Sequence, residues 1–194
     1  VEIPERPNLP EASRGVYVNL VTADWFKTYG TTLLAGRDFT ALDRRGASDV
    51  AIVNETLARR LLDTTTPVGR RVVVWARPGQ PNRTFEIVGF VRDAAYRSLR
   101  DPVPPTLYLS LAQHDDIPSS ITISVRSSGV PPAALARSVS EAISGADRNL
   151  ALTTRPLALQ VNAALIQERL LAMLGGFFGA LALLLAGVGL YGVT

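Results

Sequence analysis

The chain has 194 residues, with 20 basic and 17 acidic side chains, a net charge of +3 and 47% apolar residues. It has no cysteine, which excludes disulfides and thiolate metal sites. All its basic residues except Lys27 are arginine, and they alternate with Asp and Glu, so no basic stripe marks a nucleic-acid footprint. Residues 1–15, with Pro4, Pro7 and Pro10, read as an extended lead-in. Val16 to Val21 has the composition of a strand. Thr22 opens a short helix in which Trp25, Phe26 and Tyr29 cluster, and Gly30 ends it. These aromatics read as core anchors, with a ligand groove as the alternative. Gly36-Arg37-Asp38-Phe39 is a turn, and Asp49 to Val53 a short apolar strand. Asn54 is a suitable N-cap for a helix over Glu55 to Leu62, whose buried face is Leu57, Leu61 and Leu62 and whose wetter side carries Arg59 and Arg60.

After the turn Thr66-Pro67-Val68-Gly69, strands are predicted over Arg70 to Ala76 and Arg83 to Val91, with hairpin chemistry in Pro78-Gly79-Gln80-Pro81-Asn82. Thr106 to Leu111 alternates like a half-buried strand, and Ile121 to Arg126 also has period two. Pro131 and Pro132 start a helix running to about Ala146, with Leu135, Val139 and Ile143 on one face. Leu150 to Thr153 reads as a last strand. Pro156 then begins a helical pattern in which Leu159, Ala163, Ile166 and Leu170 form a stripe that runs on into an apolar tail. A helix from Pro156 to Thr194 is roughly 58 Å long at about 1.5 Å per residue.

The tail, 170–194, contains no charged side chain. A bilayer core takes about 20 apolar helical residues to cross, and inside lipid the backbone must satisfy its own hydrogen bonds, so this run is predicted to be a membrane-spanning helix. A buried core helix is the alternative, but the run has no polar face. Gly175 and Gly179 have the spacing that lets another helix approach closely, and Gly187 adds a third small residue. Gly187 to Gly192 also fits G-x-G-x-x-G, but it neither follows a strand nor opens a helix before an acidic residue, so helix packing accounts for it better than nucleotide binding. The chain reads as a piece of a larger membrane protein: an outer domain over 1–155, a helical stalk over 156–169 and a span over 170–194.

Catalytic signatures are missing. His114, beside Asp115 and Asp116, is the one histidine and has no second histidine or cysteine to complete a transition-metal site. There is no G-x-S-x-G and no Walker A sequence. No catalytic, cofactor-binding or metal-binding residue is therefore assigned. Asn54-Glu55-Thr56 and Asn82-Arg83-Thr84 match the glycosylation sequon and read as chance.

Several stretches together resemble a known family. Ala51-Ile52-Val53-Asn54-Glu55, Pro67-Val68-Gly69-Arg70-Arg71, Glu86-Ile87-Val88-Gly89, Asp93 and Tyr108, with the Gly36 to Phe39 turn, are similar to the MacB-like periplasmic core domain. Gln167 to Leu171 and Phe177 to Leu184 are similar to the opening of the FtsX-like permease span. The resemblance implies an α+β fold, with a βαβ-type porter-like lobe and a small β-rich inserted lobe, followed by a long helix entering the membrane. It further implies a non-enzymatic subunit of an ABC transporter, of the orphan-permease type, in the bacterial inner membrane with residues 1–169 outside the cytoplasm. The implied partners are a cytoplasmic ATPase subunit that binds the ATP, other transmembrane helices of the same permease, the lipid bilayer and a second copy in a homodimer. A membrane-anchored binding or sensor domain with no ATPase is the alternative.

Overall fold

The computed structural model describes residues 1–4, 6, 10, 15–75, 81–94, 102–114, 120–147, 151–154, 173–183 and 185. It falls into two compact units, Val1–Arg126 and Ser127–Thr194.

The first unit is a mixed α/β sheet of six strands: β1 (Tyr17–Val21), β2 (Leu33–Gly36), β3 (Val50–Asn54), β4 (Arg71–Val74), β5 (Arg83–Val91) and β6 (Thr106–Ser110). The order is β1-β6-β3-β5-β2, with β4 also on β5. β1 runs parallel to β6, and β3 parallel to β5; the pairs β3–β6, β2–β5 and β4–β5 are antiparallel. β5 is the hub. It has β3 along one side, while β4 and then β2 follow each other along its other side.

One extra residue in β5 sets the pattern of the core. The β3–β5 register steps from Ala51↔Ile87 to Ile52↔Gly89, leaving Val88 over. A side chain's face alternates along a strand, so an inserted residue flips everything after it. Phe85 and Ile87 accordingly join one apolar cluster, but beyond Val88 it is Phe90 that joins it, while Val91 joins the other. The Val88 carbonyl accepts the Arg37 amide at 2.9 Å. Gly36, at φ +76°, passes so close that an added Cβ would collide with that carbonyl oxygen.

Both sheet faces are covered. The first cluster sets Leu57, Ala58, Leu61 and Leu62 against Ala51, Val53, Leu107 and Leu109. The second gathers Phe26, Phe39, Val50, Ile52 and Tyr108. This corrects the half-buried strand expected over 106–111: all five residues of β6 are buried, because β6 lies between β1 and β3 under apolar groups on each side.

Helix α1 (Trp25–Tyr29) ends at Gly30, at φ +72°, as expected. Phe26 is buried, and its ring lies 4.9 Å from that of Tyr108; Trp25 lies 5.5 Å from the same ring. Phe26 is a core anchor and half-buried Trp25 packs beside it, while Tyr29 is half-buried and outside both core clusters. Helix α2 is α-helical over Glu55–Leu57 and continues as a π-helix over Ala58–Leu62 until Asp63 turns left-handed at φ 52°. Its leucines are buried, and Arg59 and Arg60 exposed, as the periodicity predicts. β2 was not predicted; it is a four-residue strand with exposed side chains and lacks an apolar alternation to betray it.

Residues 121–126 do not form the predicted strand. Ile121, Ile123 and Val125 remain about half exposed, while Ser124 hydrogen-bonds the Tyr29 hydroxyl and Arg126 donates to the Lys27 carbonyl at 3.3 Å. Side-chain ties to α1 hold this segment in place of a ladder.

In the second unit, helix α3 (Pro132–Ala146) appears as predicted, with Leu135, Val139 and Ile143 half-buried. Residues 151–154 are exposed and are not a strand, and 148–150 lie outside the described residues. Residues 173–183 are helical. No helix among the described residues is long and apolar enough to cross a membrane. The stalk over 156–169 lies outside the described residues.

Candidate functional site

Three features carry chemistry or contact potential: the loop after β2, the start of α2 and the apolar helix at 173–183.

The loop over 37–49 is stitched to the sheet. Arg37 holds Asp43 through both guanidinium nitrogens, at 2.7 and 2.8 Å. The Thr40 amide donates to the same carboxylate at 2.7 Å, and the Thr40 hydroxyl at 3.1 Å. Asp43 is buried, and its carbonyl accepts the Ser110 hydroxyl at 2.9 Å. The Asp43 carboxyl is held below the usual carboxylate range, mainly by the Arg37 hydrogen bonds, against the opposing effect of burial. Arg37 is pushed further up by the same bonds. Burial pushes the Asp38 carboxyl up, opposed by the bond from the Phe39 amide.

At the far end of this loop Arg83 forms an ion pair with Asp49. Gln113 accepts the Val50 amide at 3.2 Å and donates to the Ser48 carbonyl at 2.7 Å. Arg45 donates to the His114 carbonyl at 2.9 and 3.2 Å. His114 itself is half-buried, and Asp115 and Asp116 lie outside the described residues. These groups pin backbone; none pairs a nucleophile with a base. Among the described residues no group of three or more His, Cys, Asp or Glu could hold a metal ion.

Asn54 closes the start of α2 from within. Its Oδ1 accepts the Leu57 amide at 3.0 Å and the Thr106 amide at 2.9 Å, and its amide nitrogen donates to the Pro104 carbonyl at 3.0 Å. The expected cap is therefore also a cross-tie to β6. Full burial of Asn54 rules it out as a glycan acceptor. Asp93, just beyond β5, accepts the Thr56 amide at 2.9 Å and hydroxyl at 2.7 Å, and Arg59 at 3.2 Å. Glu55 returns the tie by accepting the Asp93 amide at 2.9 Å. The carboxylates thus occupy the positive end of the helix themselves. Sequence reasoning marked Arg37, Asp38, Asn54, Glu55 and Asp93 within motifs but not these partnerships, which span up to 52 residues.

The helix at 173–183 is opposite in character. Every described side chain on it is exposed, including Phe177 at 66% and Leu183 at 77%. A Cβ added at Gly175 or Gly179 would meet nothing within 4 Å. The two glycines therefore lie on an uncovered helix surface. Gly187, Leu159, Ala163, Ile166 and Leu170 lie outside the described residues.

The MacB-like periplasmic core domain family matches residues 5–142. No curated protein matches the chain. Among solved structures it is similar to the periplasmic region of MacB from Actinobacillus actinomycetemcomitans, with 19% identity over 66% of this chain and 55% of that one, and a TM-score of 0.49. It is also similar to the extracellular domain of the noncanonic ABC-type transporter YknZ from Gram-positive bacteria, with 20% identity over 48% and 42%, and a TM-score of 0.33. A domain assigned to a permease protein of Porphyromonas gingivalis gives 19% identity over 64% and 57%, and a TM-score of 0.42. The chain thus spans about half the length of the structures it matches.

Proposed function

The chain belongs to the MacB-like periplasmic core domain family, and from that premise we propose that it is the extracytoplasmic part of an ABC-type transporter permease subunit. In this reading it transmits ATP-driven motion of membrane helices to partners or substrate outside the cytoplasm. It holds no cofactor of its own; ATP is hydrolysed by a separate cytoplasmic subunit. The division of the outer domain into a porter-like lobe and a β-rich lobe, the stalk over 156–169, the span over 170–194 and packing of Gly175, Gly179 and Gly187 against other spans belong to the same proposal.

The observation that carries it is the bare apolar helix at 173–183, in one chain with a polar, cross-tied family domain. A helix with no polar face has no orientation that hides it from water, so lipid or other helices are its natural surroundings. The polar ties in the sheet unit hold backbone rather than reacting groups, which suits a part that moves as a body.

The test has two arms. The full-length protein is purified in detergent and what accompanies it is identified. Then Ala164→Pro, which removes a helical hydrogen bond and kinks the helix, is compared with the parent for ATP-driven transport. The reading expects a co-purifying ATPase and loss of transport in the variant with the partner still bound. Unchanged transport in Ala164→Pro sinks the stalk. A protein that purifies with no ATPase points instead to an anchored binding or sensor domain.

A further inference from the structure

The first and last segments of the sheet unit are attached in different ways. Near its start, Glu2 and Val73 exchange backbone hydrogen bonds at 2.8 Å each way, and Ile3 is buried in the first apolar cluster. At its end, residues 121–126 make no backbone ladder bond among the described residues, and the unit closes at Arg126. Ile121, Ile123 and Val125 are each more than half exposed, so burial does not hold this segment either.

Two side chains tie it down, and both reach α1. The Ser124 and Tyr29 hydroxyls share a hydrogen bond across 95 residues of sequence. The Arg126 guanidinium donates to the Lys27 carbonyl at 3.3 Å, toward the C-terminal end of α1, where the helix dipole favours a cation. The seat has room for it. A Cβ added at Gly30 would lie 3.1 Å from Nη1 of Arg126, so the residue that ends α1 also lets the guanidinium approach. α1 is anchored in turn. The Tyr29 ring lies 4.7 Å from that of Trp25, and Trp25 and Phe26 pack on Tyr108 of β6.

We propose that Tyr29, Ser124 and Arg126 form a releasable latch between α1 and the last segment of the sheet unit. A segment held by a few polar contacts in exposed surroundings opens locally at low cost, whereas buried ladder contacts open only with the whole fold. The latch therefore has two states. Closed, it ties the chain that follows Arg126 to α1 and, through the aromatic rings, to β6. Open, it frees that chain while the sheet stays folded. The two states follow from the contacts alone; that the latch governs motion reaching the sheet rests on the transmitting function proposed above.

Trypsin reads the latch directly, because it cuts after arginine and must draw the Arg126 side chain into its own pocket, away from Lys27. Cleavage at a briefly opened site tracks the population of the open state. The full-length protein in detergent is cleaved under native conditions, and the cuts after Arg126 and after Arg83 are timed by mass spectrometry. Arg83 lies in β5, ion-paired to Asp49, and reports unfolding of the sheet. Tyr29→Phe and Ser124→Ala are each expected to speed the cut after Arg126 by about threefold to tenfold, the population shift of one lost hydrogen bond, with the cut after Arg83 unchanged. The double variant is expected to go no faster than the faster single one, since both changes remove the same bond. Unchanged cutting after Arg126 in both single variants overturns the latch. Additive acceleration in the double variant denies the Tyr29–Ser124 tie and overturns it too, as does equal acceleration after Arg83, which marks a general loss of stability. Accelerated cutting after Arg126 beside unchanged ATP-driven transport in Tyr29→Phe overturns the latch's part in transmission and leaves its two states standing.

Discussion

The sheet unit and the helix at 173–183 use the same kinds of apolar side chain in opposite settings. Ile52, Leu57 and Leu107 are sealed at 0% exposure, while Leu174, Phe177 and Leu183 are each more than half exposed. In the sheet, strand alternation sorts side chains onto two faces, and each face has a cover. The helix has no polar positions to sort against, so no rotation about its axis gives it a wet side and a dry side. Apolar content therefore carries different information in each region. In the sheet it specifies a register; in the helix it specifies a surrounding medium.

The largest effect tests the sealed side. Tyr108→Ala removes the ring against which Trp25 and Phe26 pack, and is expected to cost about 3–5 kcal/mol, read by denaturant unfolding followed through tryptophan fluorescence. Next, Leu181→Arg is expected to disfavour membrane insertion by about 3–4 kcal/mol without shifting the unfolding of the sheet. Carbonate extraction of membranes measures the first part, and an unchanged extracted fraction would break the comparison. A smaller effect comes from the clamp after β2. The Asp43 carboxyl is depressed in the folded protein, so its stabilisation is complete above the unfolded value of about 3.9 and is lost as pH falls through the lower folded value. Asp38 is raised and acts with the opposite sign, penalising the fold above about pH 4 and relieving it below. Asp43→Asn should therefore flatten the acid limb of the stability profile, by about 1 kcal/mol after allowing for screening at half-exposed Arg37; Asp38→Asn should steepen it. The smallest effect is the sharpest control: Leu181→Ala should leave the sheet's stability within about 0.5 kcal/mol of the parent.

Much of this was legible in the sequence where one local signal sufficed. Asn54 before Glu55 announced a helix start, Gly30 a helix end, and Leu57, Leu61 and Leu62 a buried face. The pairing of β4 with β5 followed from turn residues between two β-rich runs. What failed depended on distant neighbours. Ile121 to Arg126 has the pattern of a strand, but alternation supplies only a willing edge, not a partner, and no ladder bonds it among the described residues. β6 read as half-buried because Thr106 and Ser110 are polar, yet both hydroxyls are satisfied by carbonyls, of Pro104 and Asp43. The π-helical turn had no glycine or proline to signal it. In the loop site the motif residues were visible but their partners were not, since the link from Arg37 to Asp43 depends on how the chain returns after Phe39.

The pairing of β1 with β6 has a temporal meaning. Tyr17 meets Thr106 in parallel register, so the first strand of the sheet waits for the last. Closing a long loop costs chain entropy that grows slowly with length, but during synthesis the cost is one of time: β1 leaves the ribosome well before its partner β6, which is complete only when residue 110 follows. Its neutral, β-prone sequence is most exposed to wrong pairing in that interval. Holding chaperones that bridge the delay should therefore act on residues 15–22, and slowing translation between β5 and β6 should lower the yield of folded protein more than slowing it after Ser110.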